Sequence, residues 1–422
     1  MRTRHRTAIL GSILFFAACQ AGPAVAPSAS TPAAESPASA SPAVLVGPTQ
    51  WSEVGPELET VGALNDVVAV GQTVVAVGST GSRPLVLTSS DGLTWIRAPD
   101  TSAFDTAGGA GMGSAVTSPG GVLAVGAGDG ESVAWLSPDG ATWEKVLESP
   151  GTSSMASVTR DGPGFAAVGA ALPGLVEDFG GAAWTSADGR AWIPAPASSQ
   201  LLRAPLRDVV ATERGLVAVG GIDGPVSLTS TDGVTWILHE QRDVLGGGAF
   251  WAVAVRPDGG FIGVGDGGGA FSAVSDDGAA WRRGLCSGSL TDASLRAVVA
   301  SATGYLAAGS VAGRAAIWTS RNGEVWSRVR ADLGAGQINA ITTTPYGLVA
   351  VGTSVWLGPA NGIGAHDAYP PTPCGAPPPD APLATPDPAG SPVPSGPAEE
   401  PALPSGAGEE PALPPSDAPA AP

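Results

Sequence analysis

The six-residue phrase TVVAVG at residues 73–78, an apolar run that ends in glycine, decides the fold of this chain. Related phrases recur six more times: GVLAVG (121–126), GFAAVG (164–169), GLVAVG (215–220), GFIGVG (260–265), GYLAAG (304–309) and GLVAVG (347–352). Successive closing glycines are 43 to 51 residues apart. A regular period of this length is typical of proteins built from repeated structural units. We therefore expect one repeat domain over residues 49–358.

Each repeat contains four short segments with strand character, and the fourth repeat shows them most clearly. There we predict strands at residues 208–212, 215–220, 225–229 and 234–238. Turn residues separate them, including the pairs Asp223-Gly224 and Asp232-Gly233. Four short antiparallel strands per repeat are typical of a β-propeller blade. Segments rich in Val and Ala without a helical period exclude an α-helical solenoid.

A second motif, Ser-x-Asp-Gly-x-x-Trp, joins the third and fourth segments. Six copies occupy residues 89–95, 137–143, 186–192, 230–236, 275–281 and 320–326, the last with Asn322 in place of Asp. Asp or Asn accepts hydrogen bonds from nearby backbone N–H groups, and Gly adopts the positive φ of a tight hairpin. We expect each Trp on the outer strand, where its ring can bury about 150–250 Å² against a neighbouring blade.

This motif resembles the Asp-box of the sialidase-like (BNR-repeat) β-propellers. The resemblance extends over the whole predicted domain, although the family pattern has one more residue between Asp and Gly. It implies a propeller fold and, as one possible activity, sialidase-like glycoside hydrolysis. Related boxes occur in propellers similar to photosystem assembly factors, which implies a third possibility, an assembly factor for a membrane complex.

The blade count follows from two incomplete pieces. The seventh repeat has three segments and lacks the fourth, whereas the segment around Trp51 looks like a fourth strand that stands alone. We therefore predict an all-β, seven-bladed propeller of four-stranded antiparallel blades. The N-terminal strand completes the last blade and lies beside the segment around Trp356, which leaves no open sheet edge at the join.

The ends of the chain indicate export. Residues 1–19 begin with basic residues, continue with a short apolar stretch and end in Ala-Ala-Cys, which resembles a bacterial lipobox with Cys19 as the lipidated residue. An ordinary secretory signal is the alternative. We expect an exported protein anchored through Cys19 on the outer face of a bacterial membrane, with a Pro/Ala/Ser tether at 20–48 and an acidic, Pro/Ala-rich tail at 359–422.

Composition narrows the partners. The net charge is −18, and no basic patch is available to neutralise phosphates, so we do not expect nucleic acid as a partner. Three scattered histidines and no Cys-x-x-Cys predict neither a metal site nor a cofactor. The remaining cysteines, Cys286 and Cys374, either pair in the oxidising compartment or stay as free thiols.

Polar residues near the starts of the first strands suggest a ligand site. First strands line the channel of a propeller, and their alignment brings seven candidates toward one mouth: Asn65, Asp66, Arg207, Asp208, Trp251, Arg296 and Asn339. In this alignment Trp251 is equivalent to Asp66 and Asp208. Such groups suit a polar ligand, and the alternative is that they cap strand ends and pair with one another. The insertion at 172–181, with Glu177 and Asp178, is a second candidate surface.

Catalysis is not expected from this set. A sialidase needs three arginines around a carboxylate, a Tyr nucleophile with a Glu partner and an acid/base Asp. Only Arg207 and Arg296 occupy aligned positions at the mouth, and Tyr305 and Tyr346 belong to the repeat pattern. We therefore interpret the chain as a non-catalytic envelope lipoprotein that binds an unidentified protein or glycan.

Overall fold

The computed structural model is a ring of seven antiparallel sheets, each with four strands. It describes residues 48–55, 62–81, 83–106, 109–128, 131–149, 153–171, 180–285, 290, 292–301 and 303–362. In six sheets the strand order follows the chain from the centre outward, and the seventh takes its outer strand from the N-terminal side. The predicted seven-bladed β-propeller is confirmed.

The strands are short and lie close to their predicted positions. After β1 (Ser52–Glu53), blades one and two contain β2 (Gly62–Val70), β3 (Thr73–Thr80), β4 (Arg83–Ser89), β5 (Ile96–Arg97), β6 (Gly111–Ser118), β7 (Gly121–Gly128), β8 (Glu131–Ser137) and β9 (Glu144–Ser149). Blades three and four contain β10 (Ser153–Asp161), β11 (Gly164–Ala171), β12 (Gly180–Ser186), β13 (Ile193–Pro194), β14 (Leu206–Thr212), β15 (Gly215–Gly221), β16 (Pro225–Ser230) and β17 (Ile237–Glu240). Blades five to seven contain β18 (Ala249–Val255), β19 (Phe261–Asp266), β20 (Ala270–Ser275), β21 (Trp281–Arg283), β22 (Ala293–Ser301), β23 (Gly304–Val311), β24 (Arg314–Ser320), β25 (Ser327–Arg328), β26 (Ile338–Thr344), β27 (Gly347–Gly352) and β28 (Val355–Gly358).

Helical structure in the described residues is confined to single turns between blades. These are the α-helix α1 (Arg242–Leu245) and the 3-10 turns Ser102–Phe104 and Leu201–Arg203. Within the described ranges, no helix has the length and apolar character needed to span a bilayer.

The six Ser-x-Asp-Gly-x-x-Trp turns, which we call boxes, share one geometry. In the fourth, Asp232 Oδ1 accepts the N–H groups of Val234 at 2.8 Å and Thr235 at 2.7 Å. Gly233 has a φ of +70°, as the turn requires. These bonds hold residues 234 and 235 in the turn, so the outer strand starts at Ile237, later than the predicted 234. The Trp therefore precedes the outer strand in every box except the fifth, where Trp281 begins β21.

The box tryptophans fill the seams between blades, as predicted. Trp236, for example, packs with Ala166 and Val168 of blade three, and Trp326 with Ile262 of blade five. The buried core divides into seven such clusters, each formed by two adjacent blades. Each indole buries apolar surface at a seam between two blades. This burial is the main force that holds neighbouring blades together.

The N-terminal strand closes the ring. β1 pairs antiparallel with β28, with Ser52 opposite Leu357 and Glu53 opposite Trp356. Trp51 is 5% exposed and packs into the seam between blades six and seven. The predicted closure is confirmed, and Trp51 is the seventh indole of the series.

A seventh box, split between the two ends of the domain, completes the pattern. Trp51 Nε1 donates to the carbonyl of Gly362 at 2.7 Å, as the tryptophans of boxes two to six donate to their own box glycines. Gly362 has a φ of +80°, and a Cβ there would lie 2.5 Å from Leu306, as one on Gly323 would lie 2.6 Å from Ile262. Sequence reasoning missed this box because Pro359 replaces its Ser and its Trp lies 311 residues away.

Both ends of the described chain lie at the end of the ring that carries the box turns, which we call the box-turn end. The carbonyl of Asn361 accepts a hydrogen bond from Thr303, in the turn before β23, and Gly347, the first residue of β27, lies beside Pro48. First strands run toward this end and finish there. Their starting residues therefore lie at the opposite end of the channel.

Candidate functional site

The seven predicted mouth residues all line one central cavity. Its narrow inner part has a volume of about 190 Å³. A wider outer part of about 580 Å³ shares Asn65, Arg207, Trp251, Arg296 and Asn339. Every one of the seven is half-buried, so each contributes surface to the cavity while its base is fixed in the ring.

A β-bulge at the same place in every first strand positions these side chains. The register shifts between Leu64 and Asp66 in β2, and at the equivalent place in β6, β10, β14, β18, β22 and β26. The extra residue of a bulge leaves the ladder and turns its side chain away from the pleat. The bulge residues are Asn65, Gly113, Ala156, Arg207, Trp251, Arg296 and Asn339.

The bulges correct the sequence alignment in two blades. In blade five the shift lies between Phe250 and Ala252, so Trp251 is equivalent to Arg207 and not to Asp208. In blade three the residue equivalent to Asp208 is Ser157, whereas the sequence alignment places Ala156 there. Single-sequence alignment cannot place a bulge among Ala and Val residues, because each register leaves a similar apolar pattern.

Asparagine amides link neighbouring blades on one side of the mouth. Asn339 Nδ2 donates to the carbonyl of Leu64 at 2.9 Å, and Asn65 Nδ2 donates to the carbonyl of Met112 at 2.8 Å. The first bond joins blade seven to blade one, and the second joins blade one to blade two. Both amides thus stabilise the ring at its inner wall.

Asp66 continues this chain of bonds. Its Oδ1 accepts the N–H of Val67 at 2.8 Å, and its Oδ2 accepts Ser114 Oγ–H at 2.9 Å and the N–H of Ala115 at 2.8 Å. Ser114 Oγ in turn accepts the N–H of Val158 in blade three at 3.3 Å. Burial raises the pKa of Asp66, and the hydrogen bonds from Ala115, Val67 and Ser114 oppose that rise.

Asp208 repeats the arrangement between blades three, four and five. Its Oδ1 accepts Ser157 Oγ–H and the N–H of Val209, and its Oδ2 accepts the N–H of Val253, all at 2.8 Å. Burial raises the pKa of Asp208 to about 6, against the pull of these bonds. The negative charge of Asp66 adds a smaller contribution in the same direction.

We call this hydrogen-bonded part of the wall the latched arc. Its residues are Asn339, Asn65, Asp66, Ser114, Ser157 and Asp208. Both oxygens of each carboxylate are already engaged within the ring. The predicted ligand role of Asp66 and Asp208 stays a prediction, and the role visible in the structure is to hold blades together.

The other side of the mouth is built by stacking, and we call it the stacked arc: Arg207, Trp251 and Arg296. The guanidinium carbons of Arg207 and Arg296 lie 3.8 and 3.4 Å from the centre of the Trp251 ring. One arginine comes from each blade that flanks Trp251, so the indole lies between two cations. Each cation–π contact contributes about 0.5–2 kcal/mol.

Several polar atoms of the stacked arc have no hydrogen-bond partner. Arg207 Nε, Trp251 Nε1 and Arg296 Nε are all shielded from solvent without an acceptor. Arg296 forms a long ion pair of 3.9 Å with Asp266, and in the described part of the chain Arg207 has no ion pair. Burial is the main cause that lowers the pKa of both arginines, and the charge of Arg296 further lowers the pKa of Arg207.

Neither tyrosine of the described residues lies at the mouth. Tyr305 and Tyr346, the tyrosines of the described residues, lie at the turns before or at the starts of second strands, at the box-turn end. Tyr346 Oη donates to the carbonyl of Gln72 at 2.7 Å, in the equivalent turn of blade one. Among the described residues no group of three or more His, Cys, Asp or Glu is arranged to hold a metal ion.

Five other predicted residues cannot be placed. Glu177 and Asp178 of the blade-three insertion, the lipobox Cys19, and Cys286 and Cys374 all lie outside the described residues. Conversely, sequence reasoning missed Ser157 and Asp266 as parts of the mouth. The bulge shifts Ser157 by one position from the place that the sequence alignment gives it. Asp266 is the last residue of a second strand, where no repeat motif marks it.

Comparison with known proteins supports the fold. No family model and no curated protein matches the chain. The solved structure "YCF48 bound to D1 peptide" is similar at 16% identity and a TM-score of 0.53, covering 74% of this chain and 97% of that one. The WD40 β-propeller domain of Doa1 is similar at 13% identity and 0.50, with 72% and 96% covered. Virginiamycin B lyase from Staphylococcus aureus is similar at 8% and 0.53, with 73% and 98% covered. At such identities the likeness is one of fold, the β-propeller.

Proposed function

We propose that this protein is a non-catalytic, lipid-anchored binding module of the cell envelope that takes a protein partner at the channel mouth. The observation that carries the proposal is the stacked arc. It places two guanidinium groups in the wall of a cavity, one in a long ion pair and the other in none among the described residues, beside a wall whose carboxylates are already engaged. Incomplete polar pairing in a preformed cavity is a feature of binding sites.

The position of the chain ends supports an anchored arrangement. Lipidation of Cys19 and a tether over residues 20–48 would reach the domain at Pro48, at the box-turn end of the ring. The mouth lies at the other end of the first strands. An anchor at Cys19 would therefore join the ring at the end opposite the mouth and leave the mouth open to partners.

A protein partner is favoured over a glycan by the state of Trp251. Carbohydrate sites commonly use an open aromatic face, which a sugar ring can cover. Here guanidinium groups occupy the indole from both flanking blades. The similar structure of YCF48 has a D1 peptide bound, so one propeller of this shape does bind a peptide.

The other two functions have weaker support. The turns resemble the Asp-boxes of sialidase-like propellers, but a sialidase-like hydrolase would need a third arginine and a tyrosine at the mouth. An assembly factor for a membrane complex is compatible with a peptide-binding mouth and an envelope anchor. This alternative makes no separate demand on the site.

Cross-linking in cells tests the proposal. A photo-reactive benzoylphenylalanine at Ala156, a mouth residue in neither arc, should form an adduct with a protein. The same group at Ile193, which is 67% exposed on the outer strand of the same blade, serves as the control. An adduct at 156 alone supports the proposal, whereas identical products at both positions, or carbohydrate adducts alone, would contradict it. Cys19→Ala should release the protein from membranes.

A further inference from the structure

We propose that the stacked arc is an oxyanion site, in which Arg207 and Arg296 bind a carboxylate or phosphate group of the ligand. This inference rests on the proposed function and specifies the chemistry recognised at the mouth. Arginine presents planar, paired donors that match both kinds of oxyanion.

Within the residues that the structure describes, the two guanidinium groups at the mouth have no close counter-charge. Two guanidinium groups lie on one indole, 3.8 and 3.4 Å from its centre, and Asp266 is the counter-charge seen near them, 3.9 Å from Arg296. Asp66 and Asp208 also line the cavity, but their oxygens accept six hydrogen bonds from the ring. These hydrogen bonds do not cancel the two charges, but they hold both carboxylates against the ring, so a bound oxyanion would supply the close acceptors that the two arginines lack.

The donors are also incomplete. Arg207 Nε, Arg296 Nε and Trp251 Nε1 have no acceptor, although buried polar atoms of folded proteins are nearly always paired. Their side chains are held by stacking and by the bulges, so little further ordering would be needed when a ligand arrives. Burial and then the charge of Arg296 lower the pKa of Arg207, and Asp266 opposes this shift.

The shape suits a small charged group at the end of a larger ligand. The inner part of about 190 Å³ admits a carboxylate or a phosphate, and the outer part of about 580 Å³ leaves space for the chain that carries it. A carboxylate would come from an acidic peptide, and a phosphate from a free ion or a phosphorylated ligand. The chemistry at the two arginines is shared, so the probes must separate the sources.

Indole resonances of the full mature chain provide the test. Trp251 Nε1–H is assigned from the Trp251→Phe variant, and sodium phosphate and sodium acetate are titrated separately against sodium chloride at constant ionic strength. We expect a saturable shift of the Trp251 signal with at least one of the two. A stronger response to acetate identifies a carboxylate ligand, and a stronger response to phosphate identifies a phosphate ligand.

Variants decide whether the arginines are responsible. Arg207→Gln with Arg296→Gln should weaken the response by about tenfold or more, whereas Arg160→Gln, an exposed arginine at the far end of β10, should leave it unchanged. No saturable shift with either anion, or an unaltered shift in the double variant, would overturn the inference. If the double variant still cross-links its partner through position 156, the proposed function stands and the oxyanion site alone is wrong.

Discussion

The two sides of the channel mouth use the same backbone in opposite ways. In the latched arc, polar side chains at and after the bulge reach the next blade, as when Asp208 accepts the N–H of Val253. In the stacked arc, the bulge residues Arg207, Trp251 and Arg296 contact one another through ring faces and leave N–H groups unpaired. On one side the polar groups are hydrogen-bonded between blades, whereas on the other side two guanidinium groups stack on an indole and N–H groups stay unpaired.

The contrast depends on one position per blade. After the bulge, blades one to four have Asp66, Ser114, Ser157 and Asp208, whereas blades five, six and seven have Ala252, Ala297 and Ala340. Alanine offers no acceptor to a neighbouring blade. The packing of the arginines on Trp251 takes the place of those bonds, and it tolerates a bound anion because no hydrogen bond need be broken.

Opening the ring should have the largest effect, because both arcs depend on closure. Trp51→Ala removes an indole that is 5% exposed and leaves a cavity between blades six and seven. We expect the free energy of unfolding to fall by about 3–5 kcal/mol, measured by urea denaturation. Trp51→Phe should lose less, since it keeps most of the packing. An unchanged midpoint for Trp51→Ala would show that the N-terminal strand does not close the ring.

Removing a carboxylate of the latched arc should have the next largest effect. Asp208→Ala leaves Val253 N–H and Ser157 Oγ–H without their acceptor. Unsatisfied buried donors cost about 1–3 kcal/mol each, so we expect a loss of about 2–4 kcal/mol in the free energy of unfolding. Calorimetry and urea denaturation should agree. A loss below about 0.5 kcal/mol would remove the distinction between the arcs.

The pH dependence of stability isolates the same carboxyl group. Burial raises the pKa of Asp208 to about 6 in the folded state, above the ordinary value of 3.8. Between these values the folded state binds more protons than the unfolded state, so this group makes the protein more stable as pH falls from 7 toward 4.

The variant Asp208→Asn provides the reference. The stability of the parent relative to this variant should rise by about 1–3 kcal/mol between pH 7 and pH 4. His239, whose pKa is lowered by burial, acts in the opposite direction in both proteins and cancels. A relative stability that decreases as the pH is lowered from 7 to 4 would contradict the assignment.

A matched pair of hydroxyl changes should give the smallest effects. Ser114→Ala removes the donor to Asp66 Oδ2 and the acceptor of Val158 N–H. We expect it to lower the unfolding free energy by about 1–2 kcal/mol. Ala297→Ser adds a hydroxyl at the equivalent place in blade six, where the residue is buried and no Asp accepts the hydroxyl, so it should give no gain in stability. A gain in stability from Ala297→Ser would show that the two arcs do not differ in this way.

The repeats made most of the fold predictable. Seven apolar phrases and six turn motifs specified seven blades, and the lone segment of Trp51 identified the closing strand. The split box was not predictable, since Pro359 removes its Ser and its Trp belongs to the other end of the chain. What the local pattern encodes was visible, and what depends on ring closure was not.

The site was only partly predictable. Residue type and strand position brought the seven candidates to the mouth, but the bulge at Trp251 moved it into line with the arginines. Only the three-dimensional arrangement shows that Asp66 and Asp208 have engaged oxygens while Arg207 has unpaired nitrogen. Such differences arise from contacts between blades, which single-sequence patterns do not record.

The most direct test of the contrast is the stability of the stacked arc without its anion. The double variant Arg207→Gln with Arg296→Gln is compared with the parent by urea denaturation in a low-salt buffer free of phosphate and carboxylates. We predict a free energy of unfolding within about 1 kcal/mol of the parent, or higher, because cation repulsion is removed as stacking is lost. A loss of about 3 kcal/mol or more would show that the arginines hold the ring together as the latched arc does, and would contradict a site kept open for a ligand.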